Sequence, residues 1–514
     1  MKSMTRKPTL AVVALSVALL SGCGSTIEMG SQAQQVLDGG SGDQGFTVPS
    51  DTGPDTTAAT PNRTSTEPEP GGQDGSASTP SSDAHGGDGR IGQPTTPTAS
   101  SNPDATRPPR QTGPLTIGFL TTDTSNAAST GASLGNTVSE TGVDTALINA
   151  LNKKGGIAGR QVKLVLAHTD TGATNWSNDF QAACATFTED HHVDAVLGYQ
   201  FTYEPNLESC LAKKGIPHLS NGFNVPSSSV LAQYPLFWSL DVPTIGDRSI
   251  AKFEGAIKTG FLTPQNKLGI VLDDCPGTLP AWKSEVRPYL VAHHINIAVE
   301  YTTTCGTGNN AGTAATVTGV TSALLKFRSA GVNRISFVSV SEAPVLYVIS
   351  TVAQTQSYYP GWIVSSLGQL AIIGGQAPKS EMRNTHGYGW LPSQDVPPRY
   401  NPKPNASQRR CVSLLASEGV KPRSAADFGY AYNACEAVFL YERALELTNG
   451  NSDGRLVSDA IGSVGNKFES MLNLYGRSTY SSSRRNNAPA VYKPINWDGT
   501  CSCFRYGHQT YSMP

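Results

Sequence analysis

The sequence predicts an α/β protein with two parallel sheets, each in a lobe of its own. From Pro114 onward, short apolar runs alternate with segments of helical periodicity, the pattern of parallel strands joined by crossover helices. The same alternation starts again after residues 237–243. About 400 residues follow Pro114, which is more than one hydrophobic core usually supports. Two lobes are therefore expected.

The first half of the pattern predicts four strands separated by helices. After the first strand and a polar loop, Val143, Leu147 and Leu151 recur at helical spacing, and the predicted helix stops at Gly155 and Gly156. Further helices are predicted around residues 180–187 and at residues 207–214. The strands are apolar runs typical of strands that are covered on both faces, and they span residues 115–120, 161–166, 193–198 and 216–220.

The second half repeats this order and ends in a hairpin. The predicted strands span residues 267–273, 295–301, 334–340 and 362–367, and the helices before or between them span residues 246–258, 281–293, 314–329 and 343–356. Two more helices are expected after residues 386–390. A hairpin over residues 491–506 closes the chain, because Asp498 and Gly499 suit a tight turn.

The N-terminus predicts a secretion signal over residues 1–22. A basic start precedes the apolar run of residues 10–20, which is too short to span a bilayer. Its end, "LSGC", resembles the bacterial lipobox, and this resemblance implies cleavage before Cys23 and lipidation of its thiol. An ordinary secretion signal with a chance cysteine is the alternative. The mature protein is expected outside the cytoplasm, attached to the membrane through Cys23.

Residues 23–113 are predicted to be the lipidated cysteine and a disordered linker. The segment is rich in Ser, Thr, Pro and Gly and nearly free of large apolar residues, so it cannot bury enough surface to offset its ordering entropy. A spacer between membrane and folded part is expected, with glycosylation or partner binding as the alternative.

Charge and motifs argue against several functions. The net charge is -2 and the folded part has no basic block, which disfavours nucleic acid as a partner. "GASLG" would place a nucleophilic Ser133 on a hydrolase elbow, but a strand must directly precede such an elbow, and polar residues precede this one. The adjacent His pairs lack metal-ligand spacing, and no phosphate loop is present. Neither an enzyme nor a bound cofactor or metal is predicted.

Eight cysteines remain beside Cys23, and an even number outside the cytoplasm fits four disulfides. Cys184 is expected to pair with Cys210, and Cys275 with Cys305, because each pair lies on neighbouring predicted elements. Cys501 and Cys503 are expected on one face of a strand, too far apart to bond, so pairs with Cys411 and Cys435 are predicted. A Cys/His metal site that includes His508 is the alternative.

The run "INALNKKGGIAGRQVKLVLAHTD" resembles the helix, turn and strand of leucine/isoleucine/valine-binding proteins, substrate-binding components of ABC transporters. "VDAVLGYQFTYEP", "KKGIPHLSNGFNVP", "FWSLDVPTIGDRS" and "FGYAYNACEAVFLYERAL" continue the resemblance in order over about residues 114–506. It implies the type I periplasmic binding fold: two Rossmann-like α/β lobes with parallel central sheets and a hinge of three segments. The hinge crossings are expected at residues 241–243, at residues 365–368 and between residues 464 and 492. Residues 114–241 and 368–470 would form the N-terminal lobe, and residues 242–367 and 471–514 the C-terminal lobe.

The resemblance also implies a ligand site at the carboxyl ends of the strands, where free backbone groups and helix N-termini meet. Thr202 falls where relatives bind the ligand carboxylate. The other candidates in the first lobe are Thr122, Asp123, Tyr199, Gln200, Tyr203, Ser220, Asn221, Phe223 and Asn224, and those in the second are Asp274, Ser341, Glu342, Ser366 and Gln369.

One departure from the family pattern affects the expected ligand. Amino-acid binders carry an acidic residue just after the strand that here ends "IVSSLGQL", and that residue pairs with the ligand ammonium. This sequence has no carboxylate there, although Glu342 is a possible substitute. An amino-acid ligand is therefore in doubt, and the aromatic residues of these loops allow a more apolar or sugar-like one.

The resulting prediction is a lipid-anchored, extracytoplasmic and monomeric solute-binding protein. It would capture a small polar ligand between its lobes and deliver it to an ABC permease. The alternative is a lipoprotein that senses a ligand and signals to a membrane or cell-wall partner without transport.

Overall fold

The computed structural model describes residues 110–123, 136–170, 176–199, 203–221, 227–305, 310–339 and 342–514. The predicted lipidation site Cys23, the signal segment and nearly all of the predicted linker lie outside these ranges. The described residues form an α/β structure with two sheets, one of seven strands and one of eight. The predicted fold class, two lobes with parallel central sheets, is confirmed.

The first sheet has the strand order β11-β12-β5-β4-β3-β1-β2. Strands β1 to β5 run parallel, and most of their residues are buried because helices cover both faces. Late in the chain, β11 and β12 extend the edge beyond β5. The strands are β1 Leu115–Asp123, β2 Val162–Asp170, β3 Ala195–Tyr199, β4 His218–Asn221, β5 Phe237–Ser239, β11 Ser478–Ser481 and β12 Arg484–Pro489.

The second sheet has the order β14-β13-β10-β9-β8-β6-β7, with β15 paired to β13. Strands β6 to β10 are parallel, whereas β13 and β14 form the predicted antiparallel closing hairpin. The strands are β6 Lys267–Asp273, β7 Asn296–Thr303, β8 Arg334–Val338, β9 Gly361–Ser365, β10 Thr385–Gly389, β13 Val491–Asp498, β14 Cys503–Tyr506 and β15 Tyr511–Ser512.

Helices connect the strands and cover the sheets. Those of the first lobe are α1 Glu140–Lys153, α2 Trp176–Ala185, α3 Pro205–Lys213 and α4 Ser228–Gln233. Those of the second lobe are α5 Ile245–Lys258, α6 Thr278–Ala281, α7 Arg287–Ala292, α8 Asn310–Ser329, α9 Glu342–Thr355, α10 Leu370–Ile373 and α11 Lys379–Met382. After β10 follow α12 Pro392–Asp395, α13 Ala406–Ser417, α14 Ala425–Leu447 and α15 Gly454–Val464. None of the helices in the described ranges is long and apolar enough to cross a membrane.

Three segments connect the two sheets. The first runs from β5 to α5, the second follows β10, and the third is the short link between β12 and β13. The indole N–H of Trp390, on the second segment, donates to the carbonyl oxygen of Asp241, on the first, at 2.9 Å. Since Trp390 is fully buried, this bond lies inside the hinge, where water cannot replace it.

The expected second crossing at residues 365–368 and the lobe boundary at 368 are wrong. Strand β10 continues the second sheet beside β9, so the chain leaves that sheet only at Trp390. Sequence periodicity missed β10 because two of its five residues are glycine. Gly387 has a packing role, since a Cβ atom there would lie 2.7 Å from Leu370 and 3.1 Å from Ile495.

The boundary expected at residues 470–471 is also wrong. Strands β11 and β12 belong to the first sheet, so the third crossing falls after Pro489. Their sequences, "STYS" and "RRNNAP", lack an apolar run because the two strands extend the sheet edge.

Four disulfides are present in the described residues. Cys184–Cys210 and Cys275–Cys305 confirm the two predicted pairs. The expected pairing of Cys501 and Cys503 with Cys411 and Cys435 is wrong, since the bonds are Cys411–Cys435 and Cys501–Cys503. The assumption of an extended strand failed here: Ser502 has a φ of 50°, and this turn brings its two neighbours together. These bonds also remove the alternative of a metal site with His508.

Candidate functional site

The carboxyl ends of the parallel strands of the two sheets meet beside the hinge. Gly277 follows β6 in the second lobe, and Ser227 follows β4 in the first. A Cβ atom built on Gly277 would lie 3.6 Å from the Cβ of Ser227 and 3.7 Å from Ile245, the first residue of α5. The two strand edges therefore face each other, which is where ligands bind to open parallel sheets.

Several predicted ligand residues lie outside the described ranges: Gln200, Thr202, Phe223, Asn224 and Ser341. Asp123 and Tyr199 end β1 and β3, and only their backbones are described. The backbone positions put both residues at the cleft edge of the first sheet. The ligand roles of all seven stay predictions.

The first-lobe edge is lined by short polar side chains held by neighbours in the sheet. Thr122 is the next-to-last residue of β1. Its hydroxyl hydrogen-bonds the Thr169 hydroxyl of β2 at 3.2 Å, and its N–H donates to Glu140 at 2.9 Å. Asn221 ends β4, and its amide group donates to the backbone oxygen of Asn433 on α14. The carbonyl oxygen of the Asn221 side chain is buried without a hydrogen-bond partner among the described residues. That atom can accept a bond from a ligand donor.

Ser220 and Tyr203 are placed differently. Ser220 is buried in β4, and its backbone oxygen accepts from Leu240, at the start of the first crossing, at 3.0 Å. Tyr203 packs against Phe237 of β5 with ring centroids 6.3 Å apart, and burial raises its pKa. The ring of Tyr203 therefore belongs to the packing of the first lobe.

Glu342 cannot serve as the substitute for the missing acidic residue. It begins α9 and is fully buried, and Lys252 of α5 donates to one of its carboxylate oxygens at 2.8 Å. The other oxygen accepts from the backbone N–H of Ser365 at 2.7 Å. Both oxygens are thus occupied within the second lobe, and the suggestion that Glu342 pairs with a ligand ammonium is wrong.

Ser366 is also bound into the framework. Its hydroxyl accepts from the backbone N–H groups of Trp390 and Leu391, at 2.8 and 3.1 Å, and donates to Asp395 at 3.2 Å. Burial raises the pKa of Asp395 to about 7, which the hydrogen bonds from Tyr506 and Ser366 partly oppose. Ser366 thereby fixes the start of the second crossing to the end of β9.

Gln369 and Asp274 complete the predicted second-lobe set. Gln369 is buried in a left-handed conformation, with φ 46°, directly before α10. Asp274 is exposed after β6, and its carboxylate accepts from the N–H of Cys305. Together with the Cys275–Cys305 disulfide, this bond fixes the loop after β6 to the end of β7. No cluster of metal-binding side chains is found within the described ranges.

Sequence reasoning missed Arg248. It lies in the first turn of α5, directly after the first crossing, and is fully buried. One terminal nitrogen, Nη2, donates to the backbone oxygen of Ser339, which follows β8 at the cleft edge. Its Nε and Nη1 atoms have no hydrogen-bond partner among the described residues. Burial lowers the pKa of Arg248 to about 10, against the opposing effect of Glu342 and Asp273, so the side chain stays charged at neutral pH.

The sequence did contain a signal for this residue. Arg248 and Lys252 are four residues apart on α5, so they lie on one helix face, and that face also carries buried apolar residues. Two cations on the buried face of a helix require anionic or carbonyl partners. The partners come from β8 and α9, about 90 residues further along the chain, and were invisible to local periodicity.

No protein-family model matches the sequence. No curated protein matches it either. Solved structures do match. A solute-binding protein of an ABC transporter from R. palustris, in complex with 4-hydroxybenzoate, matches with a TM-score of 0.55 at 12% identity, covering 78% of this chain and 98% of that one. The chain has the type I periplasmic binding fold.

Two further solved structures show the same fold. An ABC transporter substrate-binding protein from Desulfitobacterium hafniense, in complex with Leu, matches with a TM-score of 0.51 at 14% identity, covering 76% of this chain and 99% of that one. A periplasmic binding protein from Burkholderia mallei matches with a TM-score of 0.54 at 11% identity, covering 78% and 95%. Nearly the whole length of each is matched, so the similarity covers both lobes.

Proposed function

We propose that this protein is an extracytoplasmic solute-binding protein that captures a small molecule between its two lobes and presents it to an ABC importer. The observation that carries the proposal is the meeting of the two carboxyl-terminal strand edges at Gly277 and Ser227, beside a hinge of three chain segments. A ligand between such edges is removed from water when the lobes close, and the hinge absorbs the movement.

The similar solved structures support this proposal. They are solute- or substrate-binding proteins of ABC transporters, and their ligands are leucine in one and hydroxybenzoates in others. We infer a ligand of comparable size here. Anchoring through a lipidated Cys23 belongs to the same proposal, because acyl chains on this residue would hold the protein at the membrane that contains the importer. A Cys23→Ser variant should then be released from cells into the medium.

Cleft binding can be tested by cross-linking the lobes. The Cβ separation at Ser227 and Gly277 suits a disulfide, so a Ser227→Cys/Gly277→Cys variant should close across the cleft on oxidation. First, the small molecule that co-purifies with the full chain is identified by mass spectrometry. Its exchange is then measured by titration calorimetry and by displacement with isotope-labelled ligand.

The oxidised double variant should neither take up nor release ligand on the timescale of the reduced form. The two single cysteine variants, treated with the same oxidant, are the matched controls and should exchange ligand normally. Unchanged exchange in a verified cross-linked protein would place the ligand outside the cleft. A chain that carries no small molecule, and gains no thermal stability with any compound of a broad metabolite panel, would refute solute binding altogether.

A further inference from the structure

Arg248 is the least satisfied charged side chain at the cleft edge. Its guanidinium has five N–H groups, and among the described residues it donates one hydrogen bond, from Nη2 to the Ser339 carbonyl. Nε and Nη1 are buried and have no partner within the described part of the chain. Buried polar groups in folded proteins are almost always hydrogen-bonded, so two unpaired nitrogens on one charged group need an explanation.

The position of Arg248 points to a ligand. Ser339 follows the carboxyl end of β8, and Asp273 ends the neighbouring strand β6. Arg248 lies one helical turn beyond Ile245, which is at the contact between the two lobes. Arg248 is therefore buried at the carboxyl-terminal strand edge of the second lobe, on the side of the proposed cleft.

The charges around Arg248 leave it without a close counter-ion. Glu342 is engaged by Lys252 and by Ser365. No carboxylate within the described ranges forms an ion pair with Arg248, and Glu342 and Asp273 act on it only through their longer-range charge. By contrast, Lys252, on the same helix face, has both a carboxylate and a carbonyl partner. The second lobe therefore holds one buried cation that is balanced and one that is not.

We propose that Arg248 binds the carboxylate of the ligand, and that the ligand class is small organic acids. This inference rests on the proposed function. A guanidinium is planar and always charged at neutral pH, and its fixed fork of donors matches a carboxylate in a water-excluded site. Since Glu342 is not free to bind an ammonium group, the acid does not need an α-amino group for recognition. The anion supplies the missing partners and completes the charge balance when the lobes close.

The test compares Arg248→Met and Arg248→Lys with wild type in the full chain. Arg328→Met is the control, because Arg328 lies in the same lobe but is exposed, in the last turn of α8. The co-purified small molecule is identified in each protein. Binding is then measured by calorimetry for that molecule and for its primary amide, and also for 4-hydroxybenzoate, L-leucine and their primary amides.

The expected wild-type ligand is a carboxylate, and its amide binds far more weakly. Arg248→Met should weaken carboxylate binding about 30-fold or more, the usual loss when one partner of a buried charge pair is removed. The same variant should abolish the preference for acid over amide. Arg248→Lys should keep part of that preference, and Arg328→Met should keep all of it.

Folding is monitored separately by thermal unfolding without ligand. Arg248→Met should melt at the same temperature as the wild type or higher, because it removes a buried charge with unpaired donors. An uncharged ligand that binds wild type and Arg248→Met equally would overturn the role of Arg248 and leave cleft binding standing. If the chain carries no ligand and binds neither acids nor amides, the proposed function fails as well.

Discussion

Replacing Glu342 by Gln should strongly destabilise the protein, because it leaves the Lys252 charge buried without its counter-ion. Gln keeps the shape of Glu, and its oxygen can still accept from the Ser365 N–H. Its NH2 group then faces Lys252, so the change removes both the negative charge and the acceptor of the Lys252 hydrogen bond. Lys252 is fully buried, and burial already lowers its pKa against the opposing effect of Glu342. Without Glu342, Lys252 must keep an unpaired buried charge or lose its proton.

The cost has an upper limit that can be worked out. Losing the proton at pH 7, from an ordinary lysine pKa of about 10.4, costs about 1.36 kcal/mol for each of roughly 3.4 pH units, or about 4.6 kcal/mol. Removing one partner of a buried pair typically costs about 3–5 kcal/mol. We therefore expect Glu342→Gln to lower the free energy of unfolding by about 3–4.6 kcal/mol at pH 7.

Two further measurements identify the buried charge as the cause. Because the folded-state pKa of Lys252 lies below its unfolded-state value, the cost shrinks as pH rises, to at most about 1.9 kcal/mol at pH 9. A Lys252→Met/Glu342→Gln double variant, which lacks the orphaned charge, should regain most of the lost stability. Glu189→Gln is the control for an exposed ion pair, that with Lys214, and should leave the free energy of unfolding nearly unchanged, because solvent screens this pair.

The assay is urea unfolding followed by tryptophan fluorescence, analysed as a double-mutant cycle. A loss below about 1 kcal/mol for Glu342→Gln at pH 7 would refute the buried pair. So would a loss of the same size at pH 7 and pH 9, or a double variant less stable than Glu342→Gln alone.

Two other predictions concern the hinge and the disulfides. Burial raises the folded-state pKa of Asp395 from 3.8 to about 7, so its contribution to stability is complete below pH 3.8 and is lost as pH rises towards 7. The melting temperature of Asp395→Asn should therefore fall less between pH 4 and pH 7 than that of the wild type. An identical decline in both proteins would contradict this prediction. Peptide mapping without reduction should recover the bonds Cys411–Cys435 and Cys501–Cys503, and a peptide joining Cys411 to Cys501 would show that the turn at the hairpin tip is wrong.

The fold persists here at 11–14% identity to solved structures of the same architecture. The fold can persist at such low identity because it depends on which positions are buried and apolar, and not on the exact residue at each position. Strands such as β6 and β8 need only apolar side chains of suitable size on both faces. The proposed ligand site is different, since there individual polar groups such as Asn221 and Arg248 would determine which molecule can bind.

The sequence alone determined most of the strands and helices of both sheets, but it missed strands such as β10, β11 and β12. It also determined two disulfides, because Cys184 and Cys210 lie on neighbouring helices, and Cys275 and Cys305 at the ends of neighbouring strands. These features follow from local periodicity and from the short connections of parallel α/β units. A signal of this kind needs no knowledge of distant partners.

Only the tertiary structure decided which sheet receives β10, β11 and β12, and which side chains meet at the cleft. Glycine-rich and polar strands pair through their backbones, so their side chains do not reveal the partner. Likewise, the buried groups that accept hydrogen bonds from Arg248 and Lys252 follow β8, about 90 residues further along the chain. Periodicity indicates that a helix face is buried, but only the packed fold determines which charges and carbonyl groups face it.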